Sequence, residues 1–314
     1  MILTVTPNAA LDKTYRVEPF LINRVNRPTL THTLAGGKGI NVARVFQTLG
    51  GKAIATGFLG GLQGEIVRQA LVSEGIQDEC LPVSGESRLC IAIIDPTTGT
   101  QTEINEIGHE VSVGDCNALA NRIKELLSQY DFDFVVLCGS LPPGAPAWMY
   151  AELIEIVNLH GVKSVLDTSG EALILGIAAK PWMVKPNRHE LETADGRTIA
   201  DDREFLEAAI ELSSKGIPTV VATNGATGAY LIVDSKIYQA TPPEIEFASA
   251  VASGDSFLAA FLWGLAKSGH TGDWEYALQL AVGAGAANAS VIGAGLCTRD
   301  SIFGFASRTE IRMV

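Results

Sequence analysis

Short runs of β-branched and other large apolar residues alternate along this chain with longer stretches whose apolar positions recur at helical spacing. The alternation predicts a parallel sheet covered by helices on both faces, because each crossover between parallel strands must pack back onto the sheet. Strands are predicted at 2–5, 53–57, 134–138, 164–167, 182–185 and 219–223. Helices are predicted at 39–49, 65–74, 115–129, 147–159 and 201–214, with the two longest apolar ones, 255–267 and 274–291, at the end.

Two stretches break the alternation. Residues 89–94, then Pro96-Thr97-Thr98-Gly99, then 101–106 read as an antiparallel hairpin, and 14–17 with 30–34 reads as another. Together they predict a small second sheet, and a sheet inserted from two places near the N-terminus is placed to act as a lid over a site. The expected organisation is one α/β domain, 1–314, with a β lid inserted from about 12–34 and 87–107.

Open parallel sheets bind ligands beyond the carboxyl ends of their strands. Gly57, Gly139-Ser140, Asp167-Thr168-Ser169-Gly170, Lys185-Pro186-Asn187 and Thr223-Asn224-Gly225 each follow a predicted strand. Any one of these is explained by the ordinary polarity of loops, but together they collect polar and glycine residues on one edge.

With 314 residues and 47% hydrophobic content, the chain can bury one large core with an appended element, or two modest domains. A net charge of −12 disfavours nucleic acid as a partner, since that affinity comes from neutralising phosphates with Lys and Arg. Small anions remain accessible if the few cations converge. The uncharged stretch 281–296 is mostly Ala, Gly, Ser and Asn, which reads as a buried helix ending at a glycine-rich turn rather than a membrane span. Without a basic segment and apolar leader after Met1, a cytoplasmic location is expected. The five cysteines are scattered without C-x-x-C spacing and the five histidines form no metal-ligand pattern. Reduced thiols are expected, and any metal should arrive with the substrate.

Four clusters could carry chemistry. Gly36-Gly37-Lys38-Gly39-Ile40-Asn41 opens a helix, where glycines let backbone amides approach an anion and the helix terminus adds positive charge; a plain glycine turn is the alternative. Ala252-Ser253-Gly254-Asp255 opens another, where successive amides can form an anion hole and Asp255 can accept a proton from an attacking hydroxyl; alternatively Ser253 or Asp255 merely caps the helix. In Lys185-Pro186-Asn187-Arg188-His189-Glu190, a helix beginning near Asn187 turns Asn187 and Glu190 the same way, suiting water-mediated magnesium binding or simply a capping pair. Lys13, Arg24, Arg27, Lys38 and Arg88 matter only if they converge.

These motifs together resemble the phosphofructokinase B family of the ribokinase superfamily, in its branch of 1-phosphofructokinases and tagatose-6-phosphate kinases. The resemblance also takes in Thr6-Pro7-Asn8-Ala9-Ala10-Leu11-Asp12-Lys13, Thr56-Gly57-Phe58-Leu59-Gly60-Gly61, Thr102-Glu103-Ile104-Asn105-Glu106, Cys138-Gly139-Ser140-Leu141-Pro142-Pro143-Gly144 and Gly254-Asp255-Ser256-Phe257, in the family's order. It implies a ribokinase-like, Rossmann-type three-layer sandwich whose β-sheet lid often serves as a homodimer contact. It implies ATP and Mg2+ as cofactors and phosphorylation of a ketohexose phosphate, chiefly fructose 1-phosphate to fructose 1,6-bisphosphate. Tagatose 6-phosphate, fructose 6-phosphate, an unphosphorylated sugar or nucleoside, and a weakly catalytic sugar-phosphate sensor are the alternatives.

Carried onto this sequence, the resemblance makes Asp255 the base and residues Ala252, Ser253 and Gly254 the anion hole. Asp12 and Asn41 would bond sugar hydroxyls beside Gly36 and Gly37, with Glu103 and Ser140 also on the substrate side, while Arg27, Lys38 and Arg88 would grip the substrate's phosphate. Lys185 and Asn187 would lie near the ATP phosphates, Asn187 and Glu190 near magnesium, Thr223, Gly225 and Gly228 on the nucleotide loop, and Asn288 near the adenine. Two departures stand out. Ala252 occupies a position where the family has glycine, costing about 1 kcal/mol or more if φ there is positive, and Asn224 replaces an apolar residue.

Overall fold

In the computed structural model, which describes residues 1–269 and 273–314, the main sheet has eleven strands. From one edge inward run Glu310–Met313, Lys236–Thr241, Ala229–Val233, Thr219–Thr223, Met183–Val184, Lys163–Asp167, Phe134–Cys138, Ile2–Thr6 and Ala53–Leu59, the last pairing with the short strands Gln77–Asp78 and Leu81–Pro82. All pairings from Thr219–Thr223 onward are parallel, and the three on the other side are antiparallel. Ile2–Thr6, Ala53–Leu59 and Phe134–Cys138 are buried at every position, as their continuous apolar runs require once both faces are covered. Helices Lys38–Thr48, Ser253–Lys267 and Trp274–Ala289 cover one face, and Val113–Gln129, Met149–Leu159 and Asp202–Ser214 the other, giving three layers.

The predicted strand at 182–185 contracts to Met183–Val184. The antiparallel edge was not predicted, and its turn explains why. Asp234 and Ser235 both take positive φ, 49° and 61°, a hairpin geometry normally announced by Asn-Gly or Asp-Gly. Helices Gly170–Ala178 and Arg299–Ala306 also lie outside the predicted set, being too short for periodicity to stand out. All five cysteines are free, four of them buried. No helix among the described residues is long and apolar enough to cross a membrane.

The two irregular stretches build a separate four-stranded sheet in the order Leu30–Gly36, Ala10–Arg16, Arg88–Asp95, Thr100–Asn105. Each hairpin is antiparallel, and the two are joined by parallel pairing of Ala10–Arg16 with Arg88–Asp95. The register aligns Asp12, Cys90 and Asn105 in one row and Thr14, Ala92 and Glu103 in the next. Since side chains alternate with period two, these rows share a face with Gln101.

The last helices approach so closely that a Cβ at Gly283 would stand 2.5 Å from the Ala306 amide nitrogen, whereas one at Gly304 would meet nothing within 4 Å. Gly283→Ala is therefore expected to destabilise by about 1–3 kcal/mol, and Gly304→Ala to stabilise by about 0.5–1 kcal/mol. Thermal unfolding of the two variants should shift in opposite directions.

Candidate active site

Helix Ser253–Lys267 begins without a side-chain cap, its N-cap being Ala252 in the left-handed region at φ 61°. Neither Ser253 nor Asp255 caps it. First-turn N–H groups have no intrahelical acceptor, and among the described residues those of Ala252, Gly254 and Asp255 find none elsewhere. Only Ser253 N–H is engaged, donating to Ala250 O at 3.2 Å. Three donors thus converge on one spot, and the positive φ that makes alanine costly at this position is present.

Asn288 secures this turn from beneath. It is fully buried, donates through Nδ2 to Val251 O at 2.6 Å and Ser253 Oγ at 3.2 Å, and accepts from Gly295 N at 2.8 Å. A residue so enclosed does not line the cleft, and its polar atoms are taken up in supporting the turn.

Asp255 is 6% exposed, and its Oδ2 accepts from Asn41 Nδ2 at 2.9 Å. Arg44, one helical turn further on, donates to Asn41 Oδ1 at 2.8 Å, to Glu74 through Nε and Nη2 at 2.8 and 3.0 Å, to Ala35 O at 2.6 Å and to Ala294 O at 3.1 Å. Because arginine is only a donor, it fixes the Asn41 amide with its NH2 toward Asp255. Sequence reasoning gave Arg44 no role, though its i, i+3 spacing from Asn41 was a usable signal.

Asp167, noted in the sequence only as a polar residue after a strand, is fully buried between Lys38 Nζ at 2.7 Å and Lys185 Nζ at 3.0 Å. Burial opposes its charge, but Lys185 and Lys38 hold its carboxyl below the usual range. Burial likewise opposes the charge on Lys38, and Asp167, Glu190 and Asp255 outweigh it. Burial, reinforced by the charge of Asp167, pushes Asp255 up to about 6 against the pull of Lys38, Asn41 and Lys185. Asp12 also rises to about 6 through burial, against the pull of Arg44 and Arg88.

The cleft in front of these groups has a volume of about 620 Å³. Asp12, Gly37, Lys38, Asn41, Arg88, Glu103, Lys185, Asn187, Thr223, Gly225 and residues 252–255 line it. Gly36 backs Asp12, where a Cβ would fall 2.1 Å from the carboxyl carbon. Lys38 was expected on the substrate's phosphate; instead it shares Asp167 with Lys185 and reaches Glu190 Oε1 at 3.3 Å, on the Lys185 side of the cleft. Asn187 and Glu190 form the capping box, Asn187 Oδ1 accepting from Glu190 N and Glu190 Oε2 from Asn187 N.

The remaining expected residues lie elsewhere. Ser140 lines an adjoining hollow of about 640 Å³ that shares Arg88 with the cleft, and its Oγ accepts from Asn8 Nδ2 at 3.2 Å. Arg88 itself is held by Asn8 O at 3.0 Å and Glu106 O at 3.3 Å. Arg27 is exposed and does not line the cleft, because the 20–29 segment that carries it leads away into solvent. Gly228 closes the 223–228 loop from behind, its carbonyl accepting from Asn224 N at 2.8 Å. Asn224 is tied to Arg188 Nε at 2.9 Å and Asp202 Oδ1 at 2.9 Å. Among the described residues no group of three or more His, Cys, Asp or Glu could hold a metal.

Because the folded protein binds the Asp255 proton more tightly than the unfolded chain, stability falls as pH rises from 3.8 through about 6. Asp255→Asn should thus raise the thermal midpoint at pH 8, by at most about 3 kcal/mol in stability, with the gain disappearing near pH 4. Melting curves of both proteins across this range check the sign.

Residues 8–301 match the description pfkB family carbohydrate kinase. The chain is 38% identical over 261 residues to the 1-phosphofructokinase of Rhodobacter capsulatus, covering 83% of this chain and 82% of that protein. It superposes on a possible 1-phosphofructokinase from Thermotoga maritima with a TM-score of 0.91 at 26% identity, covering 100% of this chain and 99% of the other. Phosphofructokinase-2 of Escherichia coli, crystallised with substrates and products, gives a TM-score of 0.89 at 27% identity over 98% of each chain. The match runs from before Asp12 to beyond Asn288 and takes in every element that lines the cleft, so the chain belongs to the pfkB family of carbohydrate kinases.

Proposed function

We propose that the protein transfers the γ-phosphoryl group of ATP to a hydroxyl of a ketohexose phosphate, with fructose 1-phosphate the first candidate and fructose 1,6-bisphosphate the product. The observation that carries this reading is a buried Asp255 with one oxygen free, set among unpaired helix amides, in a cleft that also holds Lys185, Lys38 and Arg88. The name of the Rhodobacter capsulatus relative supports the choice of acceptor.

In this mechanism the sugar hydroxyl attacks the γ-phosphorus, its proton passes to Asp255 Oδ1, and the bond to the β-phosphate oxygen breaks as ADP leaves. Asn41 holds Oδ2, so the carboxylate presents its other oxygen without rotating. The amides of Ala252, Gly254 and Asp255, with Lys185 and Lys38, meet the charge on the transferring group. Asp12 and Glu103 orient the sugar, Arg88 takes its phosphate, and Thr223 and Gly225 border the nucleotide. The small sheet acts as a lid that excludes water as a competing acceptor.

The donor set suits a magnesium ion brought in by the nucleotide: Glu190 keeps one oxygen outside its capping bonds, and the neighbouring carboxylate of Asp167 is already neutralised. Asn187 and Glu190 would hold the ion through water, and it would supply charge neutralisation between the phosphates. ATP and phosphorylated sugars are both retained inside cells, which supports a cytoplasmic location. Leu30 and Ile104 are exposed on the small sheet, which supports a homodimer contact there.

Magnesium-dependent ADP production should appear with fructose 1-phosphate, or with fructose 6-phosphate or tagatose 6-phosphate, and not with free fructose or ribose. In the same assay Arg88→Ala should raise the KM for the sugar phosphate about tenfold or more while barely changing that for ATP; equal effects on both would remove Arg88 from the phosphate site. Turnover only with free sugars would favour the unphosphorylated-sugar reading. At saturating substrates kcat should fall about tenfold per pH unit below about 6 as Asp255 takes up its proton. Asp255→Asn should lower kcat by about 10²–10⁴ and abolish that limb.

A further inference from the structure

Gln101 stands on the edge strand Thr100–Asn105 of the small sheet, yet its side chain reaches the turn that leads into helix Ser253–Lys267. Its Oε1 accepts from Ser249 Oγ at 3.0 Å and from Ala250 N at 3.3 Å. Its Nε2 donates to Glu103 Oε1 at 2.7 Å, and Asn105 Nδ2 donates to Glu103 Oε2 at 3.3 Å. The amide orientation is forced, since a flip would set NH2 against the Ala250 N–H and the carbonyl against a carboxylate.

What Gln101 holds is the weak middle of the turn. Upstream, the amides of Ala248 and Ser249 hang from Ala289 O at 2.8 and 3.2 Å. Downstream, Asn288 grips Val251 and Ser253. Between them, Gln101 is the acceptor for Ala250 N among the described residues, and the Ser249 hydroxyl that donates to Gln101 accepts in turn from Val251 N at 3.2 Å. The next residue is Ala252, whose left-handed backbone an alanine resists. Lifting the small sheet would remove both bonds to Gln101 and leave the strained residue with less to hold it.

We propose that Gln101 is a positioning residue that couples the sugar side of the cleft to the anion hole, so that residues 252–255 are aligned for phosphoryl transfer only when the small sheet lies over bound sugar. The proposal rests on the roles given above to the small sheet, Glu103 and the helix amides. It accounts for an alanine where the family has glycine: a turn that does not hold its shape alone is assembled by the element that reports sugar binding. ATP entering an empty sugar site then meets an incomplete anion hole.

The test is a double-mutant cycle in the full-length enzyme with Gln101→Leu and Ala252→Gly, measured with whichever acceptor the wild type turns over, so that its outcome is separate from the identity of the sugar. In the Ala252 background Gln101→Leu should lower kcat about tenfold while changing the KM for ATP less than about twofold. In the Ala252→Gly background, where glycine takes the turn unaided, the same substitution should lower kcat less than about threefold. A residue that merely stiffens the small sheet would not show this rescue. Equal losses in the two backgrounds, or a loss confined to the KM for the sugar, would overturn the proposal.

Discussion

Asp167 lies out of water between Lys38 and Lys185, and the charge balance of the whole cleft depends on that shared ion pair. A buried carboxylate is tolerable only when paired and hydrogen-bonded. Here one carboxylate organises two lysines, and Lys38 also reaches Glu190, so both ammonium groups are fixed at the cleft with their charge largely balanced by carboxylates. The negative field of the same group also weakens the acidity of Asp255. One interaction therefore shapes both the placement of the two lysines and the proton affinity of Asp255.

Asp255 is held from a second direction by a chain that runs from Glu74 through Arg44 to Asn41. Arg44 also bonds Ala35 at the foot of the small sheet and Ala294 in the glycine-rich turn. Three segments remote in sequence are thus referenced to one guanidinium. Its planar fork suits the task, which a flexible ammonium could not perform with the same geometry.

Most of the fold was legible because its central strands are covered on both faces and read as unbroken apolar runs; 134–138 and 219–223 coincide with the predicted bounds. The antiparallel edge was illegible because Asp234 and Ser235 adopt positive φ without glycine. At the site, glycine-rich helix starts announced the cleft-lining residues of 36–41 and 252–255. The partners of Asn288 were not legible, because its three bonds to Val251, Ser253 and Gly295 depend on how the helix packs against the turn. The exposed position of Arg27, outside the cleft of the single chain, was illegible because the direction of an irregular segment leaves no trace in local sequence, and Arg44 and Gln101 passed unnoticed because neither lines the cleft.

The two hairpins of the small sheet are stitched together through their inner strands, Ala10–Arg16 and Arg88–Asp95, which come from segments separated by two helices and three strands of the main body. Such a sheet is one continuous plate rather than two independent flaps. The mutual spacing of Asp12, Arg88 and Glu103 is therefore set by strand pairing within one sheet rather than by loops. Evolution can then vary what this face presents to the cleft by exchanging side chains on one plate, with Gln101 on the same face tying any such change to the turn at 249–250.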